Sequence, residues 1–418
     1  MQRKQVFEGV KVADFAWVAV GPQIGRELAE HGATVVKIES HKVPDSLRTF
    51  APYYEGKTGL DRTMFGVAFN TNKYSMSLDM SKPKGREIAR KMVAWADLVT
   101  ESFTPGNMAK WGLDYESCRK IKPDIIYFSS CQQGQYGPRA NWGAYGWLAA
   151  GLAGYSHITG WPDREPCVMY TSYVDYIAPW YLTCAVIGAL LYRRKTGKGM
   201  YIDHSQHESA VNFLGPAVLE AAVNGRVVGR MANYDPNMAP HGAYRCLGND
   251  RWVAIGVRTD EEWRALCQVM GDPEWTKDPR FATLLGRKDN EEELNRLVQE
   301  WTRDYVDREA MALLQAHGVP AGVVQTCEDM VEIDPQLRER RAYRRLPHKV
   351  MGMRVWNAPG YILSKTPNHI WKAGPTVGED NEFVYKEILG CSDDDMANLL
   401  VEGVITTETD VPIGLRPK

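Results

Sequence analysis

The first 130 residues alternate between short β-rich runs and amphipathic helical stretches, and this alternation restricts the possible folds more than any other feature of the chain. Val10 to Phe15 is β-rich, Gln23 to His31 has helical spacing and stops at Gly32, and Thr34 to Ile38 is β-rich again. Lys84 to Ala96 is amphipathic, Leu98 to Ser102 strand-like, Tyr115 to Ile121 helical and Ile125 to Ser129 strand-like. Strands that alternate with helices assemble into a parallel sheet covered by helices. In open sheets of this kind ligands bind beyond the carboxyl ends of the strands. The loops after the strands are therefore where chemistry is expected.

A chain of 418 residues exceeds one ordinary core, so two domains are expected. A net charge of −2 gives no general attraction to nucleic acid or an anionic membrane, so an anionic ligand has to be met by a local basic cluster. Met1 to Phe7 is polar and leads straight into the first strand, unlike a secretory leader. The longest apolar stretch, Tyr176 to Tyr192, contains Pro179 and reads as too short and mixed for a membrane span. The eight cysteines form no CxxC pair and read as reduced thiols of a cytoplasmic protein. His204 and His207 stand three apart without a third ligand in metal-binding spacing, so no metal site is expected.

Beyond Pro240 the texture changes. Gly242 to Arg245 and Arg251 to Val257 read as a hairpin around Gly248-Asn249, followed by charged amphipathic helices over Asp260 to Met270, Asn290 to Thr302 and Asp307 to His317. Val319 to Val324 returns as an extended piece, and Cys327 to Arg345, rich in charge, suits a surface linker. Strand-like pieces near Gly352 to Trp356 and Tyr361 to Ser364 precede a last helix, Asn381 to Leu389. The expected division is 1–225 for the first part of a large domain, 226–325 for a small α+β domain, and 326–418 for a linker and a return to the large domain.

Asp175 has the most reactive setting. It stands ahead of the apolar stretch Ile177 to Leu191, which ends in the basic turn Arg193 to Gly199. A carboxylate at the mouth of an apolar helix is an N-cap in the plainest case; desolvated near the positive helix end, it becomes a nucleophile. After the first strand, the small-residue turn Ala16 to Gln23 lets backbone N–H groups approach a ligand. It is not GxGxxG, which argues against a dinucleotide. Arg48, Lys73 and Lys110 lie in loops after strands and are candidates to converge on phosphate oxygens.

Together these segments resemble the class III CoA-transferase family, which contains formyl-CoA and carnitine CoA-transferases. The resemblance runs through Gly21-Pro22, Val36-Lys-Ile-Glu39, Asn72-Lys73, Phe103-x-Pro-Gly106, Gly134-x-x-Gly137-Pro138, Ala144-Tyr145, Asp175 and Thr196-Gly-Lys-Gly199. It continues through Gly242-Ala-Tyr-Arg, Arg280-Phe-Ala-Thr283, Gly318-Val-Pro-Ala-Gly322 and Gly378-Glu-Asp-Asn381. It implies an α/β fold: a Rossmann-like large domain built from both chain ends, a small α+β domain, and two subunits interlocked as a dimer, either homodimeric or paired with a related subunit. It makes Asp175 the nucleophile, with Val18, Ala19, Arg48, Asn72, Lys73, Ser102, Phe103 and Lys110 around coenzyme A and Tyr145 beside the thioester. Acyl-CoA and a free carboxylic acid are the implied substrates, without a permanently bound cofactor.

The implied reaction moves CoA through an aspartyl mixed anhydride and an aspartyl-CoA thioester, with Val18 and Ala19 N–H groups as oxyanion donors. A racemase branch of the same family, the alternative activity, needs a histidine where this chain has Gly143. Trp17-Val-Ala19 lacks a glutamine, and Ser102 replaces an asparagine, relative to some members. With Gly143 open and Trp17, Trp142, Tyr145, Trp147, Tyr155 and Trp161 nearby in sequence, a bulky or aromatic acid is the expected acceptor, an arylsuccinate with succinyl-CoA as donor being one concrete form and carnitine-like or small aliphatic hydroxy acids the rivals.

Overall fold

A computed structural model describes residues 5–407. Six parallel strands form the main sheet: β1 (Lys11–Asp14), β2 (Thr34–Glu39), β3 (Tyr74–Ser77), β4 (Leu98–Glu101), β5 (Ile126–Cys131) and β6 (Met200–Ser205). Their spatial order is β3-β2-β1-β4-β5-β6, with Val12 of β1 opposite Val35 of β2 on one side and Leu98 of β4 on the other. The winding reverses between β1 and β4. In a doubly wound sheet that reversal opens a crevice at the strands' carboxyl ends.

Strands buried on both faces need apolar side chains pointing both ways. Val12, Val35, Leu98, Ile126 and Phe128 meet the helices Val20–Glu30 and Val174–Thr196 on one face. Ala13, Val36, Met76, Val99 and Tyr127 meet Pro83–Trp95 and Tyr115–Ile121 on the other. The sequence pattern passes over β3 and β6, whose serines, aspartate and histidine hide the apolar period. β3 is an edge strand, and the end of the chain fastens it. Ser75 N–H donates to Asp380 (2.8 Å), Ser77 N–H to Asn381 (2.9 Å), and Tyr385 O–H to the Ser77 carbonyl (3.0 Å).

The Val174–Thr196 helix is 23 residues long, and among the described residues it alone has the length and apolar character of a membrane span. The expectation of a shorter stretch is corrected here, because Pro179 does not break the helix. Proline removes the N–H that would donate to the carbonyl four residues back, which is that of Asp175. The Gln23 side-chain amide donates to this carbonyl instead, at 2.7 Å.

The chain divides into two compact units. The first gathers residues up to 155, 168–226 and those from 339 on; the second gathers 156–167 and 227–338. In the second, β7 (His241–Arg245), β8 (Trp252–Gly256) and β9 (Ala321–Val323) form an antiparallel sheet. The helices Asp260–Val269, Glu291–Thr302 and Asp307–Ala316 enclose a core containing Trp263, Phe281, Leu294 and Leu314. The expected linker does not begin at 326. Asp329 is buried and takes an ion pair from Arg251 at 2.8 Å, which holds that segment to the second unit. β10 (Tyr343–His348) and β11 (Gly352–Asn357) form a hairpin, Tyr361 to Ser364 is not a strand, and a helix at Asp393–Val401 follows the expected last one.

Candidate active site

The loops after β1 and β4 meet at the switch point. The Ser102 hydroxyl accepts from Trp17 N–H (2.7 Å) and donates to the Trp17 carbonyl (2.8 Å), tying the two loops together. Val18 then sits at φ 65°, a conformation a β-branched residue avoids unless its surroundings impose it. What imposes it is Asp45, whose two carboxylate oxygens both accept from Val18 N–H at 3.1 Å. Lys37, fully buried, anchors Asp45 at 3.3 Å and the Ala16 carbonyl at 3.0 Å. Burial pushes the Asp45 carboxyl above its ordinary range, Glu39 adds to the rise, and Lys37 opposes it.

Beside this turn lies a cavity of about 80 Å³ lined by Trp17, Val18, Ala19, Val20, Ser102, Thr104, Cys131, Gln132, Trp142, Gly143, Ala144, Tyr145, Asp175 and Gln206. Its single acidic lining residue is Asp175, and it has no basic one. Asp175 is 6% exposed, in the first turn of the Val174–Thr196 helix. Its carboxylate also faces the start of the Gly146–Ala153 helix, accepting from Gly146 N–H and from the Ser172 side chain. Burial raises its pKa from 3.8 to about 6, and those two neutral donors pull it back only in part. The approach to Gly146 is so close that a Cβ there would lie 2.6 Å from the Asp175 carboxyl carbon. Any side chain at 146 would displace the carboxylate.

The sequence-designated residues separate into two groups. Val18, Ala19, Ser102 and Tyr145 line the cavity with Asp175, and Phe103 stacks edge-on against Trp17 with ring centres 5.1 Å apart. Lys110 is exposed nearby in the chain, its ammonium 3.0 Å from the Asn107 side chain. Arg48, Asn72 and Lys73 are buried elsewhere, and here the expectation needs correction. Arg48 is fully enclosed and donates to Glu39 (2.8 Å), Asp61 (2.6 Å) and the Pro375 carbonyl (3.1 Å). Lys73 directs its ammonium to Asp14 (2.7 Å), the Pro22 carbonyl (2.8 Å) and Asn70 (2.9 Å), and burial lowers its pKa to about 8. Asn72 clasps the returning chain, donating to the His369 carbonyl and accepting from Trp371 and Lys372 N–H. These groups are enclosed among protein partners and hold the scaffold together.

Of the six aromatic residues, Trp17, Trp142 and Tyr145 reach the cavity, Tyr155 is a core residue, Trp147 is exposed, and Trp161 belongs to the second unit. His204 bonds Ser130 and Ser209, and His207 bonds Gln133. Among the described residues no cluster of three or more His, Cys, Asp or Glu is placed to hold a metal. Sequence reading missed Gly146, Gln23, Ser172 and Gln132. Of these, only Gly146 had a usable signal, its position directly after Ala144-Tyr145.

Comparisons with known proteins place the whole chain among its relatives. The chain is 30% identical over 399 residues to the succinyl-CoA–D-citramalate CoA-transferase of Chloroflexus aurantiacus, covering 95% of this chain and 98% of that one. It is 30% identical to the succinate–glutarate CoA-transferase of Agrobacterium fabrum, over 92% of this chain and 96% of that one. A crystal structure of a CAIB/BAIF family protein from Brucella suis superposes with a TM-score of 0.84 at 30% identity, covering 92% of this chain and all of that one. The family model for CoA-transferase family III matches residues 7–381, and the chain belongs to that family.

Proposed function

We propose that this enzyme moves CoA from succinyl-CoA to a second carboxylic acid, with Asp175 as the covalent carrier. The observation that carries the reading is a buried carboxylate without a cationic partner, at the switch point of a doubly wound sheet. It is held by neutral donors, so it is ionised at neutral pH and poorly solvated. The names of the relatives supply the donor class, since both are succinyl or succinate CoA-transferases.

Each step conserves atoms and charge. An Asp175 carboxylate oxygen attacks the acyl-CoA carbonyl, the C–S bond breaks, and CoA thiolate leaves a mixed anhydride. The thiolate attacks the Asp175 acyl carbon, forming aspartyl-CoA and releasing the donor acid. The acceptor carboxylate then attacks that thioester, and the returning thiolate takes the acceptor acyl group from the anhydride, regenerating Asp175. Water has to be kept from both intermediates, because it would hydrolyse either one. Val18 N–H is held by Asp45, so the oxyanion donors are assigned to Ala19 and Val20. Their N–H groups begin the Val20–Glu30 helix and have no acceptor among the described residues. Ser102, Phe103, Tyr145 and Lys110 remain the expected contacts to the thioester and CoA.

The aryl acceptor is a second reading, favoured by Trp17, Trp142 and Tyr145 on the cavity wall. Racemisation is disfavoured, because no histidine lines the cavity and a Cβ at Gly143 would meet only Thr104, at 3.8 Å. We place the enzyme in the cytoplasm as an interlocked pair with a second copy or a related subunit. The support is apolar surface: the Gly215–Asn224 helix buries no residue within this chain, and Trp180, Tyr181 and Leu191 on the Val174–Thr196 helix are exposed. The deciding experiment incubates the enzyme with succinyl-CoA and adds hydroxylamine. Peptide mass spectrometry should find a hydroxamate on Asp175. An unlabelled Asp175 in an enzyme that still transfers CoA would remove it from the covalent role.

A further inference from the structure

Gln132 follows β5 directly, and its main chain is fixed: its carbonyl accepts from His207 N–H at 2.9 Å and from the Ser205 hydroxyl at 3.4 Å. Gln132 lines the same cavity as Asp175 and is 5% exposed. Both ends of its amide, Oε1 and Nε2, are buried without a hydrogen-bond partner. An enclosed amide with neither end paired is a standing penalty to the fold, which a ligand group pairing it would relieve.

The chemistry of the partner follows from the amide. A hydrocarbon chain would leave both ends unpaired, and a carboxylate, which only accepts, would pair Nε2 and leave Oε1. A hydroxyl beside a carboxylate pairs both, donating to Oε1 while the carboxylate accepts from Nε2. We infer that Gln132 selects the acid, favouring an acceptor that carries a hydroxyl and a carboxylate at the end remote from the reacting carboxyl. The inference rests on the CoA-transfer reading of this cavity and extends it to the acid's far end.

Three acids of equal carbon number test it, with succinyl-CoA as donor: pentanoate, glutarate and 2-hydroxyglutarate. The wild-type kcat/KM should rise in that order, by about tenfold or more per added polar group, because a site built to bond a polar group rejects analogues that lack it. In Gln132→Met, of similar volume, the ratio of 2-hydroxyglutarate to pentanoate should collapse by about 100-fold. The same variant should melt at or above the wild-type temperature, since it removes unpaired buried polar atoms. A purely structural glutamine would instead give a lower Tm and an unchanged ratio, and that outcome overturns the inference. Should the wild type pass CoA to none of the three acids, binding alone decides on Gln132, and the hydroxylamine experiment on Asp175 decides separately on CoA transfer. Excess 2-hydroxyglutarate should raise the wild-type Tm by ~2 °C or more and pentanoate should not. Equal shifts with both acids, or equal shifts in Gln132→Met, would also overturn it.

Discussion

Two of the groups of buried charge at this sheet's strand ends are built on opposite principles. Around Arg48 and Lys73 every charge has a partner: Arg48 bridges Glu39 and Asp61, and Lys73 meets Asp14. Burial pulls the Glu39 carboxyl upward, yet Arg48 and Lys37 hold it below its ordinary range. Around Asp175 there is one carboxylate and no cation, and its pKa climbs to about 6. Paired charges fix loops and cannot react without breaking their pairs. An unpaired carboxylate is held at a disadvantage that forming a covalent bond relieves.

The sharpest way to break this comparison is to neutralise each group in turn. Asp175→Asn keeps the shape and removes the nucleophile, so kcat should fall by roughly 10³-fold or more. The fold should gain, because Asp175 favours the protonated form when folded. Its contribution to stability is full below the unfolded value of 3.8 and is lost as pH rises through about 6. Asp175→Asn should therefore be the more stable protein at pH 7 to 8, by on the order of 2–3 kcal/mol, with the gap closing near pH 4. Urea titrations at the two pH values measure this, and a less stable Asn variant at pH 8 would contradict the pKa assignment.

Arg48→Met should do the reverse. It strands Glu39 and Asp61 in the core and should cost about 3–5 kcal/mol of stability. Any soluble fraction should keep a near-normal KM for CoA esters. A raised KM with unchanged Tm would return Arg48 to the binding site.

Smaller changes sharpen the picture. Gly146→Ala places a methyl group against the Asp175 carboxylate and should lower kcat by about 10- to 100-fold, since misplacement by about 1 Å has effects of that size. Its circular dichroism should stay native. The kcat/KM profile should lose about tenfold per pH unit below a limb near 6, as Asp175 protonates. An ionisable limb that persists in Asp175→Glu but shifts would support the assignment. The smallest effect is expected at exposed Lys110. Lys110→Ala should raise KM for CoA esters only about two- to fivefold at low salt, and less at high salt, because exposed ion pairs are weak and screened.

Much of this was legible in the chain itself. The alternation of apolar strands with helical stretches determined the parallel sheet, because buried strands need apolar residues facing both ways and the helices carry one apolar stripe. Asp175 was legible too, as an acidic residue leading an apolar helix within an ordered set of family motifs. Polar strands β3 and β6 escaped notice because their neighbours, not their side chains, satisfy them. The partners of Arg48 and Lys73 were out of reach for the same reason: a basic residue in a loop looks alike whether it faces solvent or a carboxylate brought from another strand. Gln23 shows the limit most plainly. Only folding places its amide at the Asp175 carbonyl that Pro179 leaves without a donor, 152 residues away along the chain. Local pattern determines which segments become strands and helices, because burial acts on each segment's own period. Which charges end up paired, and that Asp175 is left without a cation, is decided by long-range contacts that no local pattern encodes.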